Sequence, residues 1–340
     1  MSKLQYDCER LDIAADTAIE TLAGILRHCG CSEEVAIMVA EHLADASLCG
    51  VESHGLMRVI QYHDQFCTGM MQAQGKPRFN QLPSAGYVID GNDGIGIPAM
   101  KLAIEHGCEL ADANGISAIA IRNTGHTGRL GAFAELAADQ GYLTITIGGG
   151  NRKTWRQVAP FGGRRAMLPT NPYCIGIPGG ERGPVVLDFA TSKIAGGWIY
   201  AAKSAGALLP EGAIIDAAGN PSVEPQDYFD GGAILPAGGA KGYALALMAE
   251  LIAEAMLGPA TTECNWLLIT LKTSIYRDGS SLQNIAEEIL DELRQCPPSP
   301  GFERVEIPGE REREQRLRCN GVIAVPAATW QQILALASKA

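Results

Sequence analysis

The sequence predicts an α/β sandwich that carries an additional helical layer at its N-terminal end. Residues 11–70 show the 3.6-residue apolar period of amphipathic helices, whereas apolar strand-like runs alternate with helices after about residue 75. The chain has 340 residues and is 46% hydrophobic, enough to bury a sizeable core. This length suits two domains, which we expect at 1–75 together with about 305–340, and at 76–304.

The N-terminal layer is predicted to consist of three helices. The first runs from Ala15 to His28 and stops at a Cys-Gly-Cys turn. Ser32 is expected to cap the second helix, which has two glutamates in its first turn and Gly50 beyond its end. The third helix covers Leu56 to Cys67. The prediction for this layer is therefore entirely helical.

Strands and helices alternate in the central part of the chain, as expected of a sheet covered by helices. The predicted strands lie at 116–122, 142–147, 173–177, 184–189 and 266–272, and the predicted helices at 98–114, 130–140, 243–256, 281–295 and 327–338.

A run of five glutamates and five arginines extends from Glu303 to Arg318. Two i,i+4 pairs within it, Glu312/Arg316 and Glu314/Arg318, indicate a solvated helix face. The preceding Pro-Gly-Glu turn would feed a helix N-terminus, which is a natural place for an anion.

Composition excludes several classes of function. A net charge of −11 and a pI near 5.1 argue against nucleic-acid binding, because such proteins usually present a basic face. The ten cysteines include no C-x-x-C pair and are expected to be reduced, and the first twelve residues contain no apolar leader. No run approaches 18 apolar residues, and the six histidines include no H-x-x-x-H pair. We therefore expect a cytoplasmic protein without a membrane span or a metal site.

The most informative segment reads Gly50-Val-Glu-Ser-His-Gly-Leu-Met-Arg58. If a helix begins near Ser53, His54 and Arg58 share one face. A site that reduces 2-oxo acids needs such a pair, a proton donor for the carbonyl oxygen and a cation for the carboxylate. The alternative, without a catalytic role, is a capping serine, a surface histidine and a solvated arginine. A Ser–His nucleophile pair is disfavoured, because neighbouring helical residues point about 100° apart.

The standard nucleotide-binding signatures are missing. No G-x-G-x-x-G follows a strand, and no P-loop motif occurs. The loop from Gly125 to Arg129 could still hold a phosphate, since it offers backbone amides, a hydroxyl and an arginine. The alternative is an ordinary loop between a strand and a helix, with a capping threonine.

Six motifs occur in an order that resembles one known family. They are GVESHGLMR, GHTGRLGAFAELAADQG, TNPYCIGIP, VVLDFATS, LPAGGAKGYALALMAELI and PGE. Together they resemble the malate/L-lactate dehydrogenase family of NAD(P)-dependent oxidoreductases, over nearly the whole chain. The resemblance implies a non-Rossmann fold with a mixed sheet, NAD or NADP as cofactor, and a homodimer. It also implies hydride transfer to or from C2 of a small 2-oxo or 2-hydroxy carboxylate, or a cyclic 2-imino acid.

The resemblance also implies a role for individual residues. His54 matches the proton donor, and Ser53 matches a neighbour that assists it. Arg58 matches an anion contact, either to substrate or to cofactor, and Thr170 matches a substrate contact. The implied cofactor contacts are His126, Thr127, Gly128, Arg129, Leu130, Pro178, Gly179, Asp188, Phe189, Ala190, Lys241, Gly309 and Glu310.

Two positions depart from the family pattern. Trp198 stands where several members carry an aspartate, ten residues after Asp188, and an indole cannot relay a proton. Trp198 either lines the substrate pocket or packs in the core. Ala240 stands where an aromatic residue is common. These departures leave open a second function, a member that binds nicotinamide nucleotide with lost or altered catalysis.

Overall fold

The computed structural model describes residues 8–151 and 153–338, with the backbone alone of residues 204 and 205. The helices are α1 (Ala15–His28), α2 (Glu33–Leu48), α3 (Arg58–Cys67), α4 (Gly96–Asn114), α5 (Leu130–Asp139), α6 (Gly196–Ala205), α7 (Pro225–Phe229), α8 (Ala240–Glu250), α9 (Gly279–Arg294), α10 (Glu310–Cys319) and α11 (Ala327–Ala337). The strands are β1 (Arg10–Ala14), β2 (Arg78–Gln81), β3 (Tyr87–Gly94), β4 (Ile116–Thr124), β5 (Tyr142–Gly149), β6 (Pro172–Ile177), β7 (Val185–Ala190), β8 (Ile214–Ile215), β9 (Pro221–Ser222), β10 (Ala233–Ile234), β11 (Cys264–Lys272) and β12 (Val322–Pro326).

Seven strands form the central sheet in the order β2-β3-β4-β11-β5-β6-β7. Strands β3 and β4 run parallel and are joined through α4, while the other neighbours pair antiparallel. The sheet is therefore mixed, as the resemblance implied, and β7 lies at one edge. The backbone amide of Val186 on this edge donates to the carbonyl of Pro308 at 3.1 Å, so the Pro-Gly-Glu turn lies against it.

Helices cover both faces of this sheet. Successive residues of a strand point to opposite faces, so the neighbours of one strand identify both layers. On β11, Thr270 lies against Gly107 of α4. Asn265, on the other face, donates its side-chain amide at 3.2 Å to the carbonyl of Ala253, in the π-helical turn Leu251–Met256 that continues α8. The predicted α/β sandwich, with helices on both faces of a mixed sheet, is confirmed.

The N-terminal layer packs on α4 as predicted, and Ser32 caps α2 by accepting from the amide of Val35. The prediction that this layer is purely helical is wrong, however, because residues 10–14 form β1. This strand pairs antiparallel with β12, with Arg10 opposite Pro326. A five-residue segment has too short a pattern to reveal a partner more than 300 positions away.

A second hydrophobic core lies within residues 158–246, beside the three-stranded sheet β10-β8-β9. Its fully buried members include Val158, Ile199, Ile214 and Ile234. The division into residues 1–75 with 305–340 and 76–304 stays a prediction. The β1–β12 pair does join the two ends of the chain as that division requires.

Within residues 8–151 and 153–338, no helix combines the length and the apolar character needed to cross a bilayer. All ten cysteines are free thiols.

Candidate active site

The segment with Ser53, His54 and Arg58 does not form one continuous helix. Residues Glu52–His54 make a single 3₁₀ turn, the chain leaves helical geometry at Gly55, and α3 begins at Arg58. Our expectation that helical i,i+4 spacing pairs His54 with Arg58 is therefore wrong. Ser53 does not cap a helix through its side chain, and its Oγ lies 3.0 Å from Nδ1 of His54. The turn thus brings together two neighbouring side chains that a helix would have separated.

Two histidines from distant parts of the chain meet beside this turn. The ring centroids of His54 and His126 are 5.2 Å apart. The hydroxyl of Tyr62, a fully buried residue of α3, lies 2.8 Å from Nδ1 of His126. Both imidazoles are only half-buried, so they remain open to a ligand while protein surrounds them.

The surroundings keep these imidazoles neutral. Withdrawal from water and the nearby Arg58 guanidinium lower the pKa of His54 to about 3. The same two causes hold the pKa of His126 well below its usual range. A third ring, His42, has its pKa lowered to about 4 by burial and by Arg129. At neutral pH the cluster therefore presents uncharged imidazoles beside cations.

Arg58 is held from two sides at the start of α3. Its Nε donates to the carbonyl of Ser53 at 2.5 Å, and Nη1 donates to Oε1 of Gln61. The amide groups of Gln61 and Gln65 both donate to Oε1 of Glu263, at 2.8 and 3.0 Å. Burial raises the pKa of this carboxyl. Nη2 of Arg58 has no hydrogen-bond partner among the described residues and can meet an anion.

Four members of this cluster were not predicted from the sequence: Tyr62, Gln61, Gln65 and Glu263. Tyr62 and Gln65 continue the buried face that Val59 begins, so a polar residue at this helical spacing on an apolar stripe was an available signal. Glu263 lies about 200 positions away, just before β11, and nothing local marks it.

The loop from Gly125 to Arg129 connects β4 to α5, as predicted, but two of its backbone amides and its guanidinium already have partners within the protein. The amides of Gly128 and Arg129 donate to Nδ1 of His126 (3.2 Å) and Nε2 of His42 (2.9 Å). The Arg129 guanidinium is buried and binds Asp45 and Glu135 at 3.0 and 3.1 Å. Gly128 has a φ of +73°, and a Cβ there would collide with His42. This arrangement does not fit the phosphate interpretation of the loop. Thr127 and Leu130 are also buried.

Asp188 lies on β7 next to the start of α5. Its Oδ2 accepts from the amide of Gly131 at 2.7 Å, which occupies that helix N-terminus. Part of the Asp188 side chain is exposed to solvent. The protein packed around its carboxyl group removes much of the water there, and this desolvation raises the pKa despite the hydrogen bond from Gly131. Phe189 stacks on Tyr173 with centroids 6.0 Å apart, and Ala190 ends the strand.

The turns beyond the other end of β7 lie together. Pro178 and Gly179 are buried in the turn that leads into β7, and Gly309 is the N-cap of α10 with a φ of +92°. The Glu310 carboxylate is buried and bound by the Arg294 guanidinium. The charge of this carboxylate is therefore already paired, and the implied cofactor contact of Glu310 stays a prediction.

The remaining predicted residues lie in the part of the chain that contains the second core. Gly197, next to Trp198 at the start of α6, is so close to Ser53 that a Cβ on it would lie 3.7 Å from Cβ of Ser53. Trp198 is half-buried and directly follows Gly197 in the chain. The carbonyl of Thr170 accepts from the amide of Thr191 at 3.0 Å, and Lys241 is exposed in the first turn of α8.

Comparisons with known proteins identify the family. Residues 13–334 match the sequence model of a family described as malate/L-lactate dehydrogenase. The chain belongs to the malate/L-lactate dehydrogenase family. An L-lactate dehydrogenase of Cupriavidus necator is 33% identical over 320 residues, 90% of this chain and 91% of that protein. A Δ1-pyrroline-2-carboxylate/Δ1-piperideine-2-carboxylate reductase of Pseudomonas putida is 37% identical over 70% of this chain and 68% of its own.

Solved structures of family members have the same fold. The sulfolactate dehydrogenase of Methanocaldococcus jannaschii superposes with a TM-score of 0.85 at 30% identity, covering 97% of each chain. A putative malate/lactate dehydrogenase from E. coli gives a TM-score of 0.89 at 29% identity, covering 97% of this chain and 95% of that chain. These relatives confirm the predicted class, a nicotinamide-dependent oxidoreductase of the dehydrogenase and reductase type. The roles assigned to single residues stay predictions.

Proposed function

We propose that this malate/L-lactate dehydrogenase family member transfers hydride reversibly between NAD(P)H and C2 of a small 2-oxo carboxylate or a cyclic 2-imino acid. The observation that carries the proposal is the meeting of His54, His126 and Arg58 beside the start of α6. A proton donor for the carbonyl oxygen and a partly free guanidinium for the carboxylate are the groups that reduction of a 2-oxo acid requires.

His54 delivers the proton in this proposal. The resting imidazole is neutral because Arg58 and burial disfavour its charge. A substrate carboxylate on Nη2 of Arg58 offsets that positive charge and raises the affinity of His54 for a proton. Ser53 Oγ, at 3.0 Å from Nδ1, fixes the orientation of the ring. Thr170 and Trp198 complete the substrate pocket.

The residues near β7 fit a nicotinamide nucleotide in part. Oδ1 of Asp188 has no partner among the described residues and can accept from a ribose hydroxyl. The Lys241 ammonium makes no ion pair within the described part of the chain and can meet a phosphate. Arg129 and Glu310 act by shaping the site, because their charges are already paired. The bound cofactor supplies the hydride, and the protein supplies orientation and charge.

The test is the loss of NADH and NADPH absorbance against pyruvate, oxaloacetate and Δ1-piperideine-2-carboxylate. We expect turnover with at least one substrate and a preference for one cofactor. His54→Asn should lower kcat by about 100-fold or more, the usual contribution of a positioned general acid, while cofactor binding persists. His63→Asn, on the exposed side of α3, is the matched control. Equal kcat in His54→Asn and wild type would refute the role of His54.

A second candidate function is cofactor binding without turnover. Trp198 favours it, because it follows Gly197, which lies close to Ser53, and stands at a position where several family members have an acid. Binding of NADH or NADPH by calorimetry, together with no turnover on the whole panel, would support this candidate. Recovery of turnover in Trp198→Asp would then show that the side chain at 198 disables the site.

The proposal also includes a homodimer in the cytoplasm. The resemblance implies the dimer, and α8 with its π-helical continuation presents exposed apolar side chains, among them Leu245, Met248, Leu251 and Met256. Met248→Glu should weaken association in sedimentation experiments, whereas Leu317→Glu on α10 should not. A monomer at all concentrations of wild-type protein would exclude the dimer.

A further inference from the structure

Tyr62 makes a contact that no assigned role explains. Its ring is fully buried in α3, yet its hydroxyl lies 2.8 Å from Nδ1 of His126. The two ring centroids are 5.9 Å apart, so the hydroxyl reaches the edge of the imidazole. A buried phenol of this kind needs a hydrogen-bond partner, and His126 provides it.

The direction of this hydrogen bond follows from a neighbouring one. The backbone amide of Gly128 lies 3.2 Å from the same Nδ1, and a backbone N–H can only donate. Nδ1 of His126 must therefore carry a lone pair, so the Tyr62 hydroxyl donates to it as well. Because the ring is neutral, its single proton resides on Nε2.

The other edge of the His126 ring makes no contact with the described protein that uses its Nε2. Nε2 of His126 has no hydrogen-bond partner among the described residues, and the half-buried ring leaves this nitrogen accessible to solvent. The ring of His54, the proposed proton donor, is a neighbour of the His126 ring, with centroids 5.2 Å apart. An N–H at this position can only donate, so it selects a ligand oxygen that accepts.

We propose that Tyr62 is a positioning residue that, together with the Gly128 amide, holds His126 in one tautomer, so that Nε2–H is presented to an acceptor oxygen of the bound ligand. Tyr62 itself does not touch the ligand. The assignment of the His126 tautomer is independent of the proposed function. The expected effect on ligand affinity rests on that function.

The test compares wild type with Tyr62→Phe, which removes one oxygen and keeps the buried ring. In protein labelled with ¹⁵N-histidine, the shifts of the His126 ring report which nitrogen carries the proton, and His126→Gln assigns the signal. We expect a protonated Nε2 in wild type and a measurable population of the other tautomer in Tyr62→Phe. By calorimetry, NADH or NADPH should bind about 3- to 10-fold more weakly to the variant, the usual worth of one neutral hydrogen bond.

Tyr173→Phe is the matched control. It also removes a buried hydroxyl, which donates to the carbonyl of Leu245 at 2.9 Å, but it leaves His126 untouched. Thermal melts of both variants show whether a loss of stability alone accounts for any change. Protonation at Nδ1 in wild type, or unchanged His126 shifts in Tyr62→Phe, would overturn the proposal. A tautomer change with unchanged affinity would refute the ligand contact. The ¹⁵N spectrum does not depend on turnover, so a failure of this proposal can be distinguished from a failure of the proposed function.

Discussion

At the scale of single residues, the cluster around His54 combines neutral imidazoles with cations. His42, His54 and His126 are each surrounded by protein and lie near Arg58 or Arg129, which disfavours a further positive charge. A site of this kind favours an anionic ligand, because a nearby negative charge raises the pKa of the imidazoles and makes their protonation favourable again.

We predict that this cluster makes the fold sensitive to acid. The unfolded chain takes up protons at these histidines below about pH 6.5, whereas folded His42 and His54 do so only near pH 4 and pH 3. Stability is therefore complete above pH 6.5 and is lost as the pH falls toward 4, by up to ~1.4 kcal/mol per pH unit for each ring. The raised pKa values of Asp188 and Glu263 act in the opposite direction.

Urea unfolding at pH 7 and pH 5 measures this loss. His126→Asn should reduce the difference between the two pH values by about 1–2 kcal/mol, since one buried neutral ring is removed. His63→Asn is the control and should leave the difference unchanged. Identical pH dependence in His126→Asn and wild type would contradict the prediction.

Trp198 gives a second prediction at this scale. Because Gly197 abuts Ser53, we expect the indole to limit the size of the substrate side group. Trp198→Ala should shift the ranking of kcat/KM toward larger 2-oxo acids by about tenfold or more, as expected when a pocket gains several methylene volumes. Tyr200→Ala, on the exposed part of α6, is the control. An unchanged ranking would place Trp198 in the core instead.

At the scale of elements, a buried carboxylate ties α8 to the sheet. Oε2 of Glu250 accepts from the amide of Gly150 at 3.0 Å and from Nδ2 of Asn171 at 2.9 Å. It thereby joins the end of α8 to the end of β5 and the start of β6. Asn171 has a φ of +40° and is fully buried, so the Thr170-Asn171-Pro172 turn depends on this anchor.

Removing the Glu250 carboxylate should lower the free energy of unfolding. Glu250→Ala leaves two buried donors without an acceptor, and we expect a loss of about 3 kcal/mol in the free energy of unfolding. Glu288→Ala, exposed on α9, is the control and should change it by less than about 0.5 kcal/mol. Urea denaturation measures both values. A loss below about 1 kcal/mol in Glu250→Ala would show that water replaces the carboxylate.

At the scale of the whole molecule, one ion network joins three parts of the chain. Arg129 binds Asp45 of α2 and Glu135 of α5, and Arg316 of α10 reaches the same two carboxylates. The prediction that the charged run from Glu303 to Arg318 forms a solvated helix face is therefore only partly correct. Arg318 is exposed and lies 3.8 Å from Glu314 as expected, whereas Arg316 points inward instead of pairing with Glu312.

Breaking the network should destabilise the whole fold. Arg129→Met leaves two carboxylates near one remaining guanidinium, and we expect unfolding to become easier by about 3 kcal/mol. Arg318→Met removes an exposed pair and should cost less than about 0.5 kcal/mol. Thermal and urea unfolding should agree on this order. Equal stability of the two variants would mean that Arg316 compensates fully.

The sequence by itself determined the layer architecture, most helices and strands after residue 95, and the family. These features depend on local periodicity, capping residues and ordered motifs, which are properties of neighbouring residues. The Gly50–Arg58 segment was recognised for the same reason.

Only the tertiary structure decided how that segment is used. It replaced an expected helix by a 3₁₀ turn and brought His126, Tyr62 and Glu263 to it from other elements. It also paired β1 with β12 and committed the charges of Arg129 and Glu310 to internal partners. Contacts between positions tens to hundreds of residues apart are set by packing and by the need to pair buried charges, and no local pattern encodes them.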